Sequence, residues 1–201
     1  MRSVLIALFM FFAAQTQVWA GAWLQEQGSG FSAITTTARK GDPNSLLENA
    51  IYVEYGLRPL VTIGLDLNQR PGLSGHALLF ARIPLGQATT RNRFAFEIAV
   101  GAYHWKGNWN PMSKTTLSFG HSFALGIRPG WLSVDAAIEH RKGAPALIYK
   151  LDATTGLSGF NRFNPILQVE TTHTSGLPLM WAITPGVIIE TKKAQWQVGI
   201  E

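Results

Sequence analysis

Glu54, Asp66, Arg82, Glu97, Asp135, Glu139, Arg141, Lys150, Asp152 and Glu170 are the residues whose types and spacing could do chemistry. Each falls on the small-residue side of a segment that alternates with period two. Carboxylates and basic groups gathered on one face and withdrawn from water must pair with each other or keep contact with water. Their expected role is either an ion-pair network that plugs an interior or the wall of a selective path or pocket for a small solute. Nucleophilic chemistry has one candidate, His121-Ser122 within Phe119-Gly120-His121-Ser122-Phe123. A serine beside a histidine is the pairing a lipid hydrolase needs. Adjacent residues of a strand point to opposite faces, so these two cannot form a dyad with each other unless a bulge intervenes. His121 falls instead with Leu117, Phe119, Phe123 and Leu125 on the apolar face.

Other site chemistries find no residues to carry them. Asp135 and Glu139 share a face but stand roughly 13 Å apart along a strand, too far for a glycosidase pair. His76, His104, His140 and His173 have no metal-ligand spacing, and no phosphate-binding glycine loop or nucleotide fingerprint occurs. The chain has no cysteine, which excludes a thiolate metal site, a disulfide scaffold and a lipoprotein anchor. No catalytic residue, metal or cofactor is expected. The formal charge of +5 is modest and the basic residues form no stripe, so nucleic acid has no case as a partner.

The elements that must position these residues are strands. Val61, Ile63, Leu65 and Leu67 alternate with Thr62, Gly64, Asp66 and Asn68. Phe94, Phe96, Ile98, Val100 and Ala102 alternate with Ala95, Glu97, Ala99, Gly101 and Tyr103. Leu132, Val134, Ala136 and Ile138 alternate with Ser133, Asp135, Ala137 and Glu139. Such a pattern is that of half-buried strands. Turn residues punctuate it, among them Gly41-Asp42-Pro43-Asn44, Arg70-Pro71-Gly72, Gly107-Asn108 and Arg128-Pro129-Gly130. The expected strands are 29–39, 48–57, 59–68, 73–84, 92–105, 113–127, 130–141, 145–157, 162–173, 178–190 and 193–201, with only the stretch 45–50 read as a short helix. With 201 residues, no linker and no repeat, the fold class is all-β in one domain.

The compartment is read from the N-terminus. Arg2 precedes Val4 to Ala14, an unbroken apolar run too short to span a bilayer but suited to a signal peptide. Val18-Trp19-Ala20 offers the small residues that signal peptidase reads, so residues 1–20 are expected to be removed, with cleavage after Ala20 leaving Gly21-Ala22-Trp23 first. An exported chain with alternating strands is either a soluble barrel with a greasy lumen or a membrane barrel with a greasy outside. Two features favour the second. The non-apolar face is built of Gly, Ala, Ser and Thr with isolated charges, which suits the crowded interior of a small barrel. Aromatic residues gather near strand ends, at Tyr103, Trp105, Trp109, Trp131, Phe160, Phe163 and Trp181, as in the girdles at membrane interfaces. The expected architecture is an antiparallel up-and-down transmembrane β-barrel of ten to twelve strands in the bacterial outer membrane. A secreted lipocalin-like barrel, with Val61, Ile63, Phe94 and Phe96 inside, and an outer-membrane lipid-modifying hydrolase are the alternatives. Arg58, Arg70, Arg128, Lys142 and Lys192-Lys193 fall in turns, where they would meet lipid headgroups or lipopolysaccharide phosphates.

Eleven segments is odd, whereas single-chain bacterial outer-membrane barrels have even strand numbers. Either Pro185 breaks 178–190 as a bulge, or a last strand, ending in the usual terminal aromatic, lies beyond Glu201. Glu54-Tyr55-Gly56-Leu57 followed by Leu60-Val61-Thr62-Ile63-Gly64 resembles a hairpin recurrent in proteobacterial outer-membrane barrels, the relatives of the meta-pathway phenol-degradation barrels. Gly21-Ala22-Trp23-Leu24-Gln25, Leu151-Asp152-Ala153-Thr154, Thr184-Pro185-Gly186 and Gln197-Val198-Gly199 are similar to segments of the same group. The resemblance implies an outer-membrane barrel, structural or a narrow channel for a small solute, with no catalytic residues to carry over. Its implied partners are outer-membrane lipid, lipopolysaccharide and the barrel-assembly machinery.

Overall fold

A computed structural model of the chain describes residues 21–38, 47–87, 91–160, 162–190 and 195–199. The expected signal segment 1–20, the turn at 41–44, Lys192-Lys193 and Glu201 lie outside the described residues. Eleven strands follow one another in chain order: β1 (Gly30–Ala38), β2 (Leu47–Arg58), β3 (Val61–Arg70), β4 (Ser74–Pro84), β5 (Asn92–Trp105), β6 (Asn108–Leu125), β7 (Arg128–Arg141), β8 (Ile148–Leu157), β9 (Phe163–Thr174), β10 (Met180–Glu190) and β11 (Gln195–Gly199). Each pairs antiparallel with its chain neighbours in a single up-and-down sheet, and no helix occurs among the described residues. The all-β, up-and-down architecture is the one the alternation predicts. The sheet curls until β11 approaches β1. These two run in the same direction, and among the described residues no ladder joins them.

Local chemistry explains the tight turns. Lys106 (φ 49°) and Gly107 (φ 84°) both adopt positive φ between β5 and β6, the backbone of a two-residue hairpin whose twist matches that of its strands. One register shift, at Gly56 to Arg58, interrupts the β2–β3 ladder.

Three expectations need correcting. Residues 47–50 of the stretch read as a helix are strand, since Leu47 to Ala50 pair with Thr35 to Ala38 of β1; hairpin pairing overrides a weak local preference. Pro185 does not break β10, whose register with β9 runs without a slip from Met180↔Thr172 to Ile189↔Phe163. The described β10–β11 ladder begins at Gly186. Trp131 and Tyr103 are not girdle residues. Trp131 is buried in the interior cluster, and Tyr103 packs against Leu78, Phe80, Ala99 and Met112. Both lie on the same parity as the small inward residues of their strands, and parity outranks closeness to a strand end.

The outer face of the curl is apolar. Leu79 is 65% exposed, Phe94 51%, Ile98 50% and Ile63 36%, so the side chains that a greasy lumen would hold point outward. Exposed aromatics stand at both rims of this face. Tyr55, Phe94 and Phe163 lie at the near end, where β1 begins, and Trp109, Tyr149 and Trp181 at the far end. Inside, Ala95 and Ala99 are fully buried and leave room for the stacked rings of Tyr52 and Phe80, 5.3 Å apart. A Cβ on Gly64 would collide with the Phe80 ring and the Val53 carbonyl. Small residues opposite large ones are how a narrow barrel fills.

Candidate functional site

The inward parity of β2, β4 and β5 brings Glu54, Arg82 and Glu97 together, and they are 2%, 3% and 6% exposed. Arg82 Nη1 donates to Glu54 Oε1 at 2.6 Å, while Nη2 and Nε donate to Glu97 Oε2 at 2.7 and 3.2 Å. Nη2 also donates to the Tyr52 hydroxyl at 2.7 Å, and Nη1 to the Trp23 carbonyl at 3.5 Å. Every guanidinium proton therefore has an acceptor. The Tyr52 hydroxyl closes the ring by donating to Glu54 Oε1 at 2.7 Å. Two acids around one arginine is the arrangement that makes burial of charge tolerable.

Two further clusters lie toward the far end. Lys114 Nζ donates to Asp66 Oδ2 at 2.8 Å, and His76 Nε2 stands 3.1 Å from Asp66 Oδ1. Glu139, 1% exposed, pairs with Arg141 at 2.6 Å and with Lys150 at 2.7 Å. Neighbouring strands bring these clusters side by side, since Lys114 is directly opposite Glu139 in the β6–β7 ladder and Ala99 in the β5–β6 ladder. Asp135 and Asp152 form a third feature. They are direct cross-strand partners, both half-buried. Asp152 Oδ1 accepts the Thr171 backbone N–H at 3.1 Å. Asp135 Oδ2 accepts from Ser133 at 3.1 Å, and its Oδ1 is buried with no hydrogen-bond partner among the described residues.

Of the charges expected to face inward, Glu54, Arg82, Glu97 and Glu139 are buried, and Asp66, Asp135, Arg141, Lys150 and Asp152 are half-buried. Glu170 is exposed; it sits opposite Ala182, with no large neighbour there to cover it. Sequence reasoning missed Tyr52, His76 and Lys114 as members of these clusters. Lys114 shares parity with Thr116 and Ser118, a signal that was present. His121 lies on the outer face, stacked between Phe119 and Phe123, with Nδ1 2.6 Å from Asn92 Oδ1, and the Gly120 next to it points inward against Trp23. Of the turn cations, Arg128 donates to the Gly159 carbonyl at 2.7 Å and covers the Phe160 ring at 3.7 Å, while Arg70 reaches Glu48 at 3.6 Å.

The largest feature missed by the strand pattern is the segment ahead of β1. Residues 21–25 run inside the curl, and 26–28 are exposed. Ala22 and Trp23 are buried against Trp131, Ile166 and Ile188, with the two indoles edge to face at 6.3 Å and Arg93 5.9 Å above the Trp23 ring. Gln25 is held by its backbone N–H to Thr62 Oγ1 at 2.9 Å and by its side chain to Glu54 Oε2 at 2.7 Å. A turn at Glu26–Ser29 then hands the chain to β1, with Gly28 N–H bonded to the Gly56 carbonyl at 2.8 Å and Gly56 N–H to the Ser29 carbonyl at 2.9 Å. A Cβ on Gly56 would collide with the Glu26 carbonyl. Gly56→Ala is expected to push this segment out of place and cost about 1–3 kcal/mol, read from a denaturant titration of tryptophan fluorescence; an unchanged midpoint would show that the turn is not held there. The chain matches no family model, no curated protein and no solved structure.

Proposed function

We propose that the protein is a bacterial outer-membrane β-barrel whose lumen is kept shut by its own N-terminal segment and by ion pairs. On this reading a small solute passes only when that segment gives way. The observation that supports it is the inversion of polarity across the sheet. Ile63, Leu79, Phe94 and Ile98 face outward while Glu54, Arg82, Glu97 and Glu139 are buried inside. In water an exposed apolar band of this kind is a liability. In a bilayer it is the surface that lipid covers, with aromatics at the two rims. Strands of ten or more residues, as in β2 to β10, are long enough to cross a bilayer when tilted. The resemblance of the Glu54–Gly64 hairpin to outer-membrane barrels points the same way. The implied partners are outer-membrane lipid and lipopolysaccharide around the band, and the barrel-assembly machinery during insertion.

Ala22 and Trp23 packed on the wall and the buried ion pairs occupy the interior, which fits a closed resting state better than an open pore. The test is detergent extraction of the outer membrane followed by gel mobility with and without boiling. A mobility shift in that fraction is expected, and soluble periplasmic protein without a shift would overturn the proposal. For the closed lumen, a variant lacking residues 23–27 is expected to give discrete openings in planar bilayers where the parent chain is silent. Equal conductance of the two would leave the barrel without a removable stopper.

A further inference from the structure

Gly21 lies against the Asp135 carboxylate. A Cβ built on it would collide with Asp135 Oδ1 and stand 2.6 Å from Ser133 Oγ, and its φ of +69° is one that side-chain-bearing residues avoid. Glycine is therefore the residue that fits. Its backbone nitrogen is two bonds from that Cβ position, which bounds its distance from Oδ1 at about 5 Å. Asp135, like Asp152 beside it, lacks the paired cation that the other buried lumen acids have. Glu54, Glu97, Asp66 and Glu139 each have an arginine or lysine. Asp135 has no cation at ion-pair distance among the described residues, faces Asp152 directly across the ladder, and keeps Oδ1 buried without a hydrogen bond. The wall thus presents a carboxyl group with no direct ion-pair partner at mid-height, next to the residue that would become the first of the chain if cleavage falls after Ala20.

We propose that this is a binding site for a primary ammonium group, and that its ligand is the α-amino group of Gly21 released by signal peptidase. Cleavage breaks the Ala20–Gly21 amide with water, giving the Ala20 carboxylate and a Gly21 ammonium. That ammonium supplies the charge Asp135 lacks and a donor for Oδ1, and it locks Ala22 and Trp23 onto Trp131, Ile166 and Ile188. Processing would then strengthen the closure of the lumen. An uncut chain would have to accommodate the preceding residues at mid-lumen and would bring an amide rather than a charge. The inference rests on the reading of the chain as an exported barrel cut after Ala20.

The experiment uses the full chain purified from outer membranes. Intact mass and N-terminal sequencing establish whether the first residue is Gly21, while heat-dependent gel mobility reports separately on the barrel. Because the chain has no cysteine, Ala22→Cys gives a single thiol whose labelling by a bulky maleimide reads whether the segment is docked. Slow labelling is expected in the parent background. In Asp135→Asn, labelling should rise about tenfold or more, the population shift that follows loss of one hydrogen bond to a charged group. A variant with one extra glycine between Ala20 and Gly21 keeps the wall intact and displaces the amine; it should label as fast as Asp135→Asn, which keeps the test decisive if Asp135→Asn does not assemble. Unchanged labelling in the extended variant would overturn the proposal. A first residue other than Gly21 on a heat-modifiable barrel would overturn it too, while leaving the barrel reading intact.

Discussion

For the outer-membrane barrel proposed above, Ile98→Arg is expected to abolish accumulation of folded protein in the outer membrane. Ile98 sits midway along β5, on the outer face, half exposed. An arginine facing lipid near the bilayer midplane costs about 2–4 kcal/mol, a large share of what holds a small domain together. Ile63→Arg lies closer to the near end, where the charge reaches the interface, and its penalty falls toward about 1 kcal/mol or less. Phe96→Arg, between Leu117 of β6 and Ile83 of β4, belongs with Ile98. The measurement is the boiled-versus-unboiled gel on outer-membrane fractions, with expression checked on whole cells. The ordering itself tests the orientation: a protein bathed in water would gain solubility from the same three changes.

Arg82→Met is the change expected to weaken the folded barrel most from inside. It leaves the carboxylates of Glu54 and Glu97 buried with no cation between them. Removing one partner of a buried ion pair costs about 3–5 kcal/mol, because the remaining charge can neither pair nor hydrate. The readout is the urea midpoint for conversion of the compact gel band to the unfolded one. Restoring neutrality with Glu54→Gln and Glu97→Gln in the same chain should recover most of the loss, since a neutral interior of similar volume is tolerated. A triple variant as weak as Arg82→Met alone would mean that shape rather than charge holds this region.

The alternation carries its information through parity, and this decides what was readable. Ile63, Phe94 and Ile98 could be put on one face and Glu54, Arg82 and Glu97 on the other from residue type alone, because a period of two leaves a strand only two faces. Which inward residues meet was not readable, because contacts between β2, β4 and β5 depend on register, and the slip at Gly56 to Arg58 has no sequence signature of its own. Trp131 shows that parity outranks position: it stands near a strand end, yet it shares the inward parity of Ser133 and is buried. The N-terminal segment was invisible for a different reason. Gly21 to Ser29 belong to no strand, so no periodicity describes them. The space they occupy is marked only by absences of side chain, at Gly56 and Gly120, that a linear pattern does not tie to Trp23.

Every ladder in the sheet joins strands adjacent in the chain, so the wall can grow by short-range steps, each hairpin templating the next. The exception is the first stretch. Trp23 and Ala22 share a cluster with Trp131, Ile166 and Ile188, partners supplied by β7, β9 and β10. Loop-closure cost is met before such distant contacts reward it, so Ala22 and Trp23 have no complete resting place until β7, β9 and β10 exist. An early part of the chain is thereby late to settle, and its docking reports that β7, β9 and β10 have come into place.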